Sequence, residues 1–287
     1  MDQRIADLLK LLQLEQLEVN LFRGESRDIG SAQVFGGQVL GQALTAASAT
    51  VQDRVVHSLH AYFLRRGDFN APIVYQVDRS LDGNSFTNRR VVAIQHGEPI
   101  FNMAASFQRS EEGLDHQVDM PIVTPPEELP DSTEPPPDLL SRMPERLRRF
   151  FEQPRPFEFR AVQPIDYFRS KKAPPARQIW FRAVQRLPDE ESLHRCLLAY
   201  VSDFFLLDTA TLPHGTSHLS GSVVMASLDH AMWFHRTLRV DDWLLYDMES
   251  PSASGARGFA RAGVFSRDGR LVATTAQEGL VRIKRRP

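Results

Sequence analysis

The chain contains an internal repeat, and this repeat constrains the fold more than any other feature of the sequence. Residues 82–97 (DGNSFTNRRVVAIQHG) align without a gap with residues 254–269 (SGARGFARAGVFSRDG), and the alignment pairs Arg89 with Arg261. A repeat of this length predicts two copies of one structural unit. If one copy carries polar residues that the other lacks, those residues indicate where a chemical function lies.

A second match lies upstream of the first in each copy. Residues 60–64 (HAYFL) align with residues 230–234 (HAMWF), which pairs His60 with His230. The two matched segments are separated by slightly different numbers of residues in the two copies, and short loops can absorb this difference. At 287 residues the chain is long enough for two domains of ordinary size.

Each copy begins with a helix. In the first copy, Gly36 and Gly37 precede residues 38–47 (QVLGQALTAA), whose small and apolar side chains predict a buried helix. Residues 55–108 then alternate in short runs separated by turn residues, which is typical of an antiparallel sheet. A helix followed by several strands forms an α+β unit in which the helix lies across one face of the sheet.

The second copy repeats this plan. Residues 178–184 (QIWFRAV) predict a strand. Asp189 is a suitable N-cap for a helix that runs to about Leu206. Further strands are predicted over residues 222–234, 243–249, 258–266 and 271–282.

A proline-rich segment separates the two copies. Eight prolines lie between residues 121 and 144 among many acidic residues, and this composition is typical of a linker. We therefore predict an N-terminal domain over residues 1–110, a linker over residues 111–160 with a short basic helix near residues 143–151, and a C-terminal domain over residues 161–287.

The composition is that of a globular protein, with 42% hydrophobic and 24% charged residues. A net charge of -2 provides no general attraction for nucleic acid or for an anionic membrane surface. Cys196 is the only cysteine, which excludes an intrachain disulfide and fits a reducing cytoplasm. No apolar run is long enough to cross a bilayer, so we expect a cytoplasmic protein without membrane insertion.

Asp203 is the acidic residue that fits its predicted surroundings least well. It lies beside an apolar stripe of the second helix and near the end of that helix, where a carboxylate costs stability unless it has partners. It could still point into solvent or pair with an arginine. The corresponding residues 31–52 of the first copy contain no acid at all, so the fold does not require one there.

Two further polar residues distinguish the second copy. Under the repeat, Gln277 falls on Ala105, and Ser227 falls near His57. Taken singly, neither residue needs a functional role. Gln277 could equally be an outward-facing strand residue, and Ser227 could be a strand residue whose hydroxyl bonds to backbone. Together with Asp203 they can hold one water molecule, with Asp203 accepting its proton while Ser227 and Gln277 fix its direction.

Several common functional motifs are absent. The sequence has no G-x-S-x-G nucleophile motif, no glycine motif for phosphates or dinucleotides, and no H-E-x-x-H zinc motif. His230 and His235 lie in a strand-like run with a spacing that suits no usual zinc geometry. The lone Cys196 fits core packing. We therefore expect neither a metal nor a cofactor.

The chain resembles the acyl-CoA thioesterase II family, whose members contain two fused hot-dog domains. The resemblance covers nearly the whole chain. It is carried by VFGGQV at 34–39, GQA at 41–43, HSLHAYFLR at 57–65, DGNSF at 82–86, DHAMWFHR at 229–236, SAS at 252–254, ARG at 256–258 and QEG at 277–279.

This resemblance implies a tandem double hot-dog α+β fold, in which each repeat is an antiparallel sheet wrapped around a central helix. The family's catalytic aspartate falls on Asp203 and its glutamine on Gln277. Its third member, often threonine, falls on Ser227, which keeps the hydroxyl and loses a methyl group. The implied reaction is hydrolysis of a fatty acyl-CoA thioester to free acid and coenzyme A by direct attack of water, without an acyl-serine intermediate. A homo-oligomer, dimer or tetramer, is also implied.

Residues that would bind the reacting groups are less well defined. The backbone of Gly36 and Gly37 is a candidate for oxyanion donors, although a tight turn into the helix explains these glycines equally well. The acyl tail needs an apolar groove between helix and sheet or between the domains. Candidates for the phosphates of coenzyme A are Arg65, Arg66, Arg89 and Arg257.

Two other functions fit parts of the sequence. A hot-dog hydratase or dehydratase would use an acid and a histidine on the acyl chain, and His57 and His230 are available for this. A non-catalytic acyl-CoA-binding protein would not need the polar residues that only the second copy carries.

Overall fold

Two helices at the centre and one antiparallel sheet around them form the framework of the molecule. The computed structural model describes residues 1–30, 33–132, 140–141, 143, 145–166, 171–217 and 221–284. Pro135, Pro136, Pro137 and Pro144 of the predicted linker lie outside the described residues. No helix in the described ranges is long and apolar enough to span a membrane.

The first half contains helices α1 and α2 and strands β1 to β6. Their bounds are α1 Gln3–Leu12, β1 Glu15–Glu18, β2 Leu21–Gly24, α2 Gly36–Ser48, β3 Val55–Phe63, β4 Ile73–Asp82, β5 Phe86–Gln95 and β6 Glu98–Gln108.

The second half follows with helices α3 and α4, strands β7 to β13 and two short 3-10 helices. Their bounds are Pro126–Glu128 (3-10), α3 Glu145–Glu152, β7 Phe157–Ala161, β8 Ala176–Ala183, α4 Glu191–Val201, Leu207–His214 (3-10), β9 Val223–Ser227, β10 Asp229–Phe234, β11 Leu244–Ser254, β12 Arg257–Ser266 and β13 Leu271–Ile283.

The strands form one sheet that runs through both halves in the order β1-β2-β4-β5-β6-β3-β10-β13-β12-β11-β8-β7, with β9 also paired to β13. The halves meet where β3 and β10 pair antiparallel, with His60 opposite Ala231. Helices α2 and α4 pack against each other inside the sheet. The predicted α+β class, an antiparallel sheet around a central helix in each copy, is confirmed.

Small side chains allow the two central helices to approach closely. A Cβ atom on Gly41 of α2 would lie 3.3 Å from the carbonyl oxygen of Cys196 in α4, and one on Gly37 would collide with the carbonyl oxygen of Tyr200. Burial of the Cys196 thiol raises its pKa to about 11, as expected for a core residue. The contact between α2 and α4 places the start of one helix beside the end of the other.

Three predicted boundaries are wrong. Helix α4 begins at Glu191, and Asp189 does not cap it but pairs with Arg239 at 2.5 Å. The helix ends at Val201 rather than near Leu206, and the φ of 67° at Phe205 excludes a right-handed helix through that residue. The long strand predicted before residue 234 is divided into β9 and β10. Strand β7 pairs with β8 and so belongs to the sheet, while the domain boundaries themselves stay a prediction.

The ungapped pairing of Arg89 with Arg261 is wrong by one residue. Arg89 is 1% exposed and lies opposite Ala105, whereas Ala260, also buried, lies opposite Gln277. Ala260 is therefore the counterpart of Arg89, and Arg261 points to the opposite face. By contrast, the pairing of Ala105 with Gln277 is confirmed, since both are buried on the inner face.

The pairing of the two histidines fails for the same reason. His60 lies opposite Ala104 in β6, and Ala231 lies opposite Ala276 in β13, so Ala231 is the counterpart of His60. Leu59 precedes His60 and His230 precedes Ala231, so His230 is the counterpart of Leu59. Both of these are fully buried, whereas His60 is exposed.

In the corrected register Arg89 is a buried inner-face residue, so its removal should destabilise the fold. Arg89 donates hydrogen bonds to Thr50, Leu81, Asn88 and Asp82, so Arg89→Ala leaves buried acceptors without donors and should lower the free energy of unfolding by about 3 kcal/mol. Urea unfolding measures this loss.

The matched control is Arg261→Ala. Arg261 is exposed and pairs with an exposed Glu249, so its removal should change stability by no more than about 0.5 kcal/mol. Equal losses in the two variants would contradict the register.

Candidate active site

The structure brings Asp203, Ser227 and Gln277 together, as the sequence predicts. Gln277 Nε2 donates to Asp203 Oδ1 at 2.8 Å and to Ser227 Oγ at 3.1 Å. Because a carboxylate can only accept, the amide nitrogen of Gln277 must face Asp203, and its two N–H groups are used within this triad. We refer to these three residues as the polar triad.

Local strand geometry places Ser227 beside Gln277. Strand β13 pairs with β10 up to Ala276 and then with β9, where Gly279 lies opposite Ser227. At the change of partner, the N–H of Leu228 donates to the carbonyl of Glu278 at 3.0 Å. At this break between β9 and β10, the Ser227 hydroxyl faces Gln277, and Ser227 stays partly exposed.

The first half of the chain completes the site through the start of α2. The Gly37 N–H donates to Asp203 Oδ2 at 2.9 Å across 166 residues of sequence. Phe35 is the N-cap of α2 and provides no side-chain cap. The carboxylate of Asp203 therefore acts as the cap, at the helix end where the macrodipole favours negative charge.

Gly36 fits this position because little space remains for a side chain there. A Cβ atom there would lie 2.7 Å from Asp203 Oδ2 and 3.0 Å from the Phe63 ring. The sequence suggested Gly36 and Gly37 as oxyanion donors, but the Gly37 N–H is used to hold Asp203. An apolar residue before two glycines at a helix start, with no capping side chain, was the signal for a cap supplied from elsewhere.

Burial dominates the electrostatics of Asp203. Although the residue keeps some exposed surface, packing around its carboxyl group raises its pKa to about 6, and the hydrogen bonds from Gln277 and Gly37 only partly offset this rise. Neutral donors rather than a cation hold the group. A carboxylate with a pKa near neutrality can both accept and return a proton.

A groove with mainly apolar lining lies beside the turn that follows α4. Phe204, which follows Asp203 directly, lines this groove, and its ring packs against Phe35 at 4.5 Å between centroids. The other lining residues that bear on its chemistry are Leu8, Leu11, Phe157, Phe159, Tyr200, Arg27 and Arg155. The lining is mainly apolar and also includes Gln153 and the two arginines.

The two histidines of interest are not joined to the triad by hydrogen bonds. His57 Nε2 lies 2.8 Å from Ser106 Oγ, and burial lowers the pKa of His57. His230 Nε2 lies 2.9 Å from Ser202 Oγ, and burial lowers the pKa of His230 to about 3. Within the described residues, no cluster of His, Cys, Asp and Glu could hold a metal ion.

The four arginines proposed for phosphate binding do not form one cluster. Arg89 is buried and bonded within the protein, which excludes it as a phosphate ligand. Arg65 pairs with Glu98 at 3.0 Å, and Arg66 is exposed. Arg257 pairs with Glu278 at 2.9 Å, and strand alternation puts this pair on the face of the sheet opposite to Gln277.

Family models match both halves of the chain. One is described as acyl-CoA thioesterase and matches residues 147–280, and the other is described as acyl-CoA thioesterase N-terminal domain and matches residues 23–108. Acyl-CoA thioesterase 2 of Haemophilus influenzae is 42% identical over 98% of this chain and 99% of its own length. Acyl-coenzyme A thioesterase 8 of Homo sapiens is 42% identical over 99% of this chain and 91% of its own length.

Solved structures agree with these matches. An acyl-CoA thioesterase II, TesB2, from Mycobacterium marinum superimposes with a TM-score of 0.79 at 44% identity, over 96% of this chain and 98% of that chain. A protein of unknown function with a hot dog fold from Alicyclobacillus acidocaldarius has a TM-score of 0.79 at 18% identity, over 97% and 99%. The tandem double hot-dog fold is thereby confirmed.

The two glycines at the start of α2 should respond differently to substitution. In Gly37→Ala the new methyl meets backbone, which cannot move cheaply, so we expect a loss of about 2 kcal/mol or more in the free energy of unfolding. In Gly36→Ala the methyl meets the ends of the Asp203 and Phe63 side chains, which can rotate, so the loss should be smaller.

Urea unfolding of both variants tests this difference. A larger loss in Gly36→Ala than in Gly37→Ala would mean that the close approach between α2 and α4 is misplaced.

Proposed function

The chain belongs to the acyl-CoA thioesterase II family, and from this premise we propose that it hydrolyses fatty acyl-CoA to free fatty acid and coenzyme A with a water activated by Asp203. It is a thioester hydrolase. The observation that carries the proposal is the hydrogen-bonded triad of Asp203, Gln277 and Ser227. Phe204, the residue after Asp203, lines an apolar groove.

Asp203 acts as the general base in this proposal. A water bound to its carboxylate attacks the thioester carbonyl carbon and transfers a proton to Asp203. The tetrahedral oxyanion then collapses, the carbon–sulfur bond breaks, and the departing thiolate takes the proton from Asp203 to form coenzyme A. The pKa of about 6 supports both transfers near neutral pH.

Ser227 and Gln277 hold the base and the water in one geometry. Since Ser227 Oγ accepts from Gln277, its own proton is available to donate to the water and to aim the oxygen lone pair at the carbonyl. Gln277 contributes by fixing Asp203 and Ser227 relative to each other. The Gly36 N–H, beside the Gly37 N–H at the start of α2, is our candidate for an oxyanion donor.

The apolar groove that starts at Phe204 suits the acyl tail. Its lining by leucine and aromatic side chains supports burial of a hydrocarbon chain, and Arg27 and Arg155 are available to meet the anionic parts of coenzyme A.

The other two interpretations have less support. A hydratase needs a histidine that exchanges protons at the acyl chain, but His230 is fully buried and stays neutral above a pKa of about 3. A protein that only binds acyl-CoA does not fit a family whose named members are thioesterases.

We also propose that the protein works in the cytoplasm as a homo-oligomer, dimer or tetramer. Tyr62 and Trp233 are large exposed residues on the outer face of the sheet where β3 and β10 meet, which supports contact with a second copy. A relative from Saccharomyces cerevisiae is named as a peroxisomal acyl-coenzyme A thioester hydrolase, which is a different location. Light scattering gives the mass that decides the assembly.

Asp203→Asn is the central test of the proposal. It removes the base while keeping similar size, so hydrolysis should fall by about two orders of magnitude or more while acyl-CoA binding persists. Free thiol release from saturated acyl-CoA substrates of increasing length measures the rate. Incubation with 2-enoyl-CoA shows whether hydration occurs instead.

Asp247→Asn is the matched control, because Asp247 is a partly buried acid that accepts a hydrogen bond from Gln178 on another part of the sheet. It should retain wild-type rates within about twofold. Wild-type hydrolysis by Asp203→Asn would remove Asp203 from the mechanism, and hydration without thiol release would refute the thioesterase proposal.

A further inference from the structure

Ser202, the residue directly before Asp203, is held by buried side chains from three strands. Its hydroxyl lies 2.9 Å from His230 Nε2 in β10, and its carbonyl oxygen lies 2.8 Å from the Tyr246 hydroxyl in β11. Thr275 Oγ1 in β13 lies 2.9 Å from the same tyrosine hydroxyl. His230 and Thr275 are both 0% exposed and Tyr246 is 3% exposed.

The direction of the bond from His230 follows from proton counting. The Ser202 hydroxyl has one proton, and it also contacts the Ala199 carbonyl at 3.0 Å, which can only accept. The hydroxyl therefore donates to Ala199 and accepts from His230. This requires the His230 tautomer with its proton on Nε2, and burial keeps that ring neutral.

The direction of the bond from Tyr246 follows in the same way. A carbonyl oxygen can only accept, so Tyr246 donates its single proton to the Ser202 carbonyl. Thr275 must then donate to Tyr246. Burial raises the pKa of Tyr246, and the negative charge of Asp203 adds to this rise, so the phenol keeps its proton near neutral pH.

The turn that carries Asp203 needs such support. Helix α4 ends at Val201, so Asp203 is not held by helical hydrogen bonding of its own turn. Two residues later Phe205 adopts a φ of 67°, a conformation that an aromatic residue keeps only when its surroundings impose it. Fixing Ser202 at both its hydroxyl and its carbonyl sets the position from which Asp203 projects.

The first copy of the repeat lacks three of these four groups and uses the fourth differently. In the corrected register Leu59 replaces His230 and Met103 replaces Thr275, while the residue that caps the helix end is Ala49 instead of Ser202. Tyr75 is the counterpart of Tyr246, but its hydroxyl donates to Gln42 within α2. The hydrogen bonds around Ser202 therefore occur only in the copy that carries Asp203.

We propose that His230, Tyr246 and Thr275 are positioning residues that fix the general base Asp203 through Ser202, without touching the substrate. This inference rests on the proposed function, because it assigns Asp203 the role of base. In this proposal the buried His230 positions Asp203 and exchanges no proton with the substrate.

Nearly isosteric variants test the proposal. Tyr246→Phe and Thr275→Val each remove one hydroxyl, and we expect kcat to fall by about tenfold to a hundredfold, since a displacement of about 1 Å near a reacting group has effects of this size. KM should stay within about twofold, because none of these residues lines the groove. Thioester hydrolysis with one saturated acyl-CoA measures both constants.

His230 allows a rescue experiment. His230→Leu removes the donor to Ser202 and should lower kcat by a similar factor, whereas His230→Gln can again donate an N–H and should recover most of the loss. The double variant of Tyr246→Phe with Thr275→Val should be no slower than Tyr246→Phe alone, because Thr275 acts through Tyr246.

Thr274→Val is the matched control on the same strand, where Thr274 contacts His235 on the outer face, and it should keep wild-type kcat. Unchanged kcat in folded Tyr246→Phe and Thr275→Val would overturn the positioning role and leave the thioesterase proposal intact. Equal losses in His230→Leu and His230→Gln would also overturn it. Full activity in Asp203→Asn would instead refute the proposed function on which the inference rests.

Discussion

The hydrogen bond from the Gly37 N–H to the Asp203 carboxylate is the interaction on which the site depends, because it joins the two halves of the chain at the proposed base. It requires a helix that starts with glycine, lacks its own side-chain cap and lies close against α4. Two opposing effects act on the pKa of Asp203. Burial raises the pKa of Asp203, while the helix start and the Gln277 amide stabilise the charge. The balance near pH 6 suits a base that must also return its proton.

Duplication explains why one such site forms in each chain. The second copy has Gln277, Thr275 and His230 where the first has Ala105, Met103 and Leu59, all on the inner face of the sheet. The first copy instead contributes the start of α2. The second half thus supplies the three side chains of the polar triad, and a backbone N–H group of the first half holds the carboxylate.

Much of this was predictable from sequence, and the failures have physical causes. Asp203 was identified because the corresponding residues 31–52 contain no acid, and Gln277 because the first copy has Ala105 at its position. The fold class followed from strand and turn patterns. The paired arginines and histidines were misleading, because strand side chains alternate and a shift of one residue reverses the face. The missing side-chain cap of α2 indicates that a cap comes from elsewhere, but no local pattern identifies Asp203, 166 residues away, as its source. The end of α4 depends on a φ imposed by tertiary packing.

The most direct test of this account is a carbon-13 NMR titration of the Asp203 carboxyl group, with its resonance assigned by comparison with Asp203→Asn. The pKa is raised, so the base form predominates only above about pH 6, and hydrolysis should be lost as pH falls through the same midpoint. A titration midpoint near pH 6 that coincides with the acid limb of kcat is the predicted result. A midpoint near the ordinary value of 3.8 would contradict the burial and the role assigned to this carboxylate.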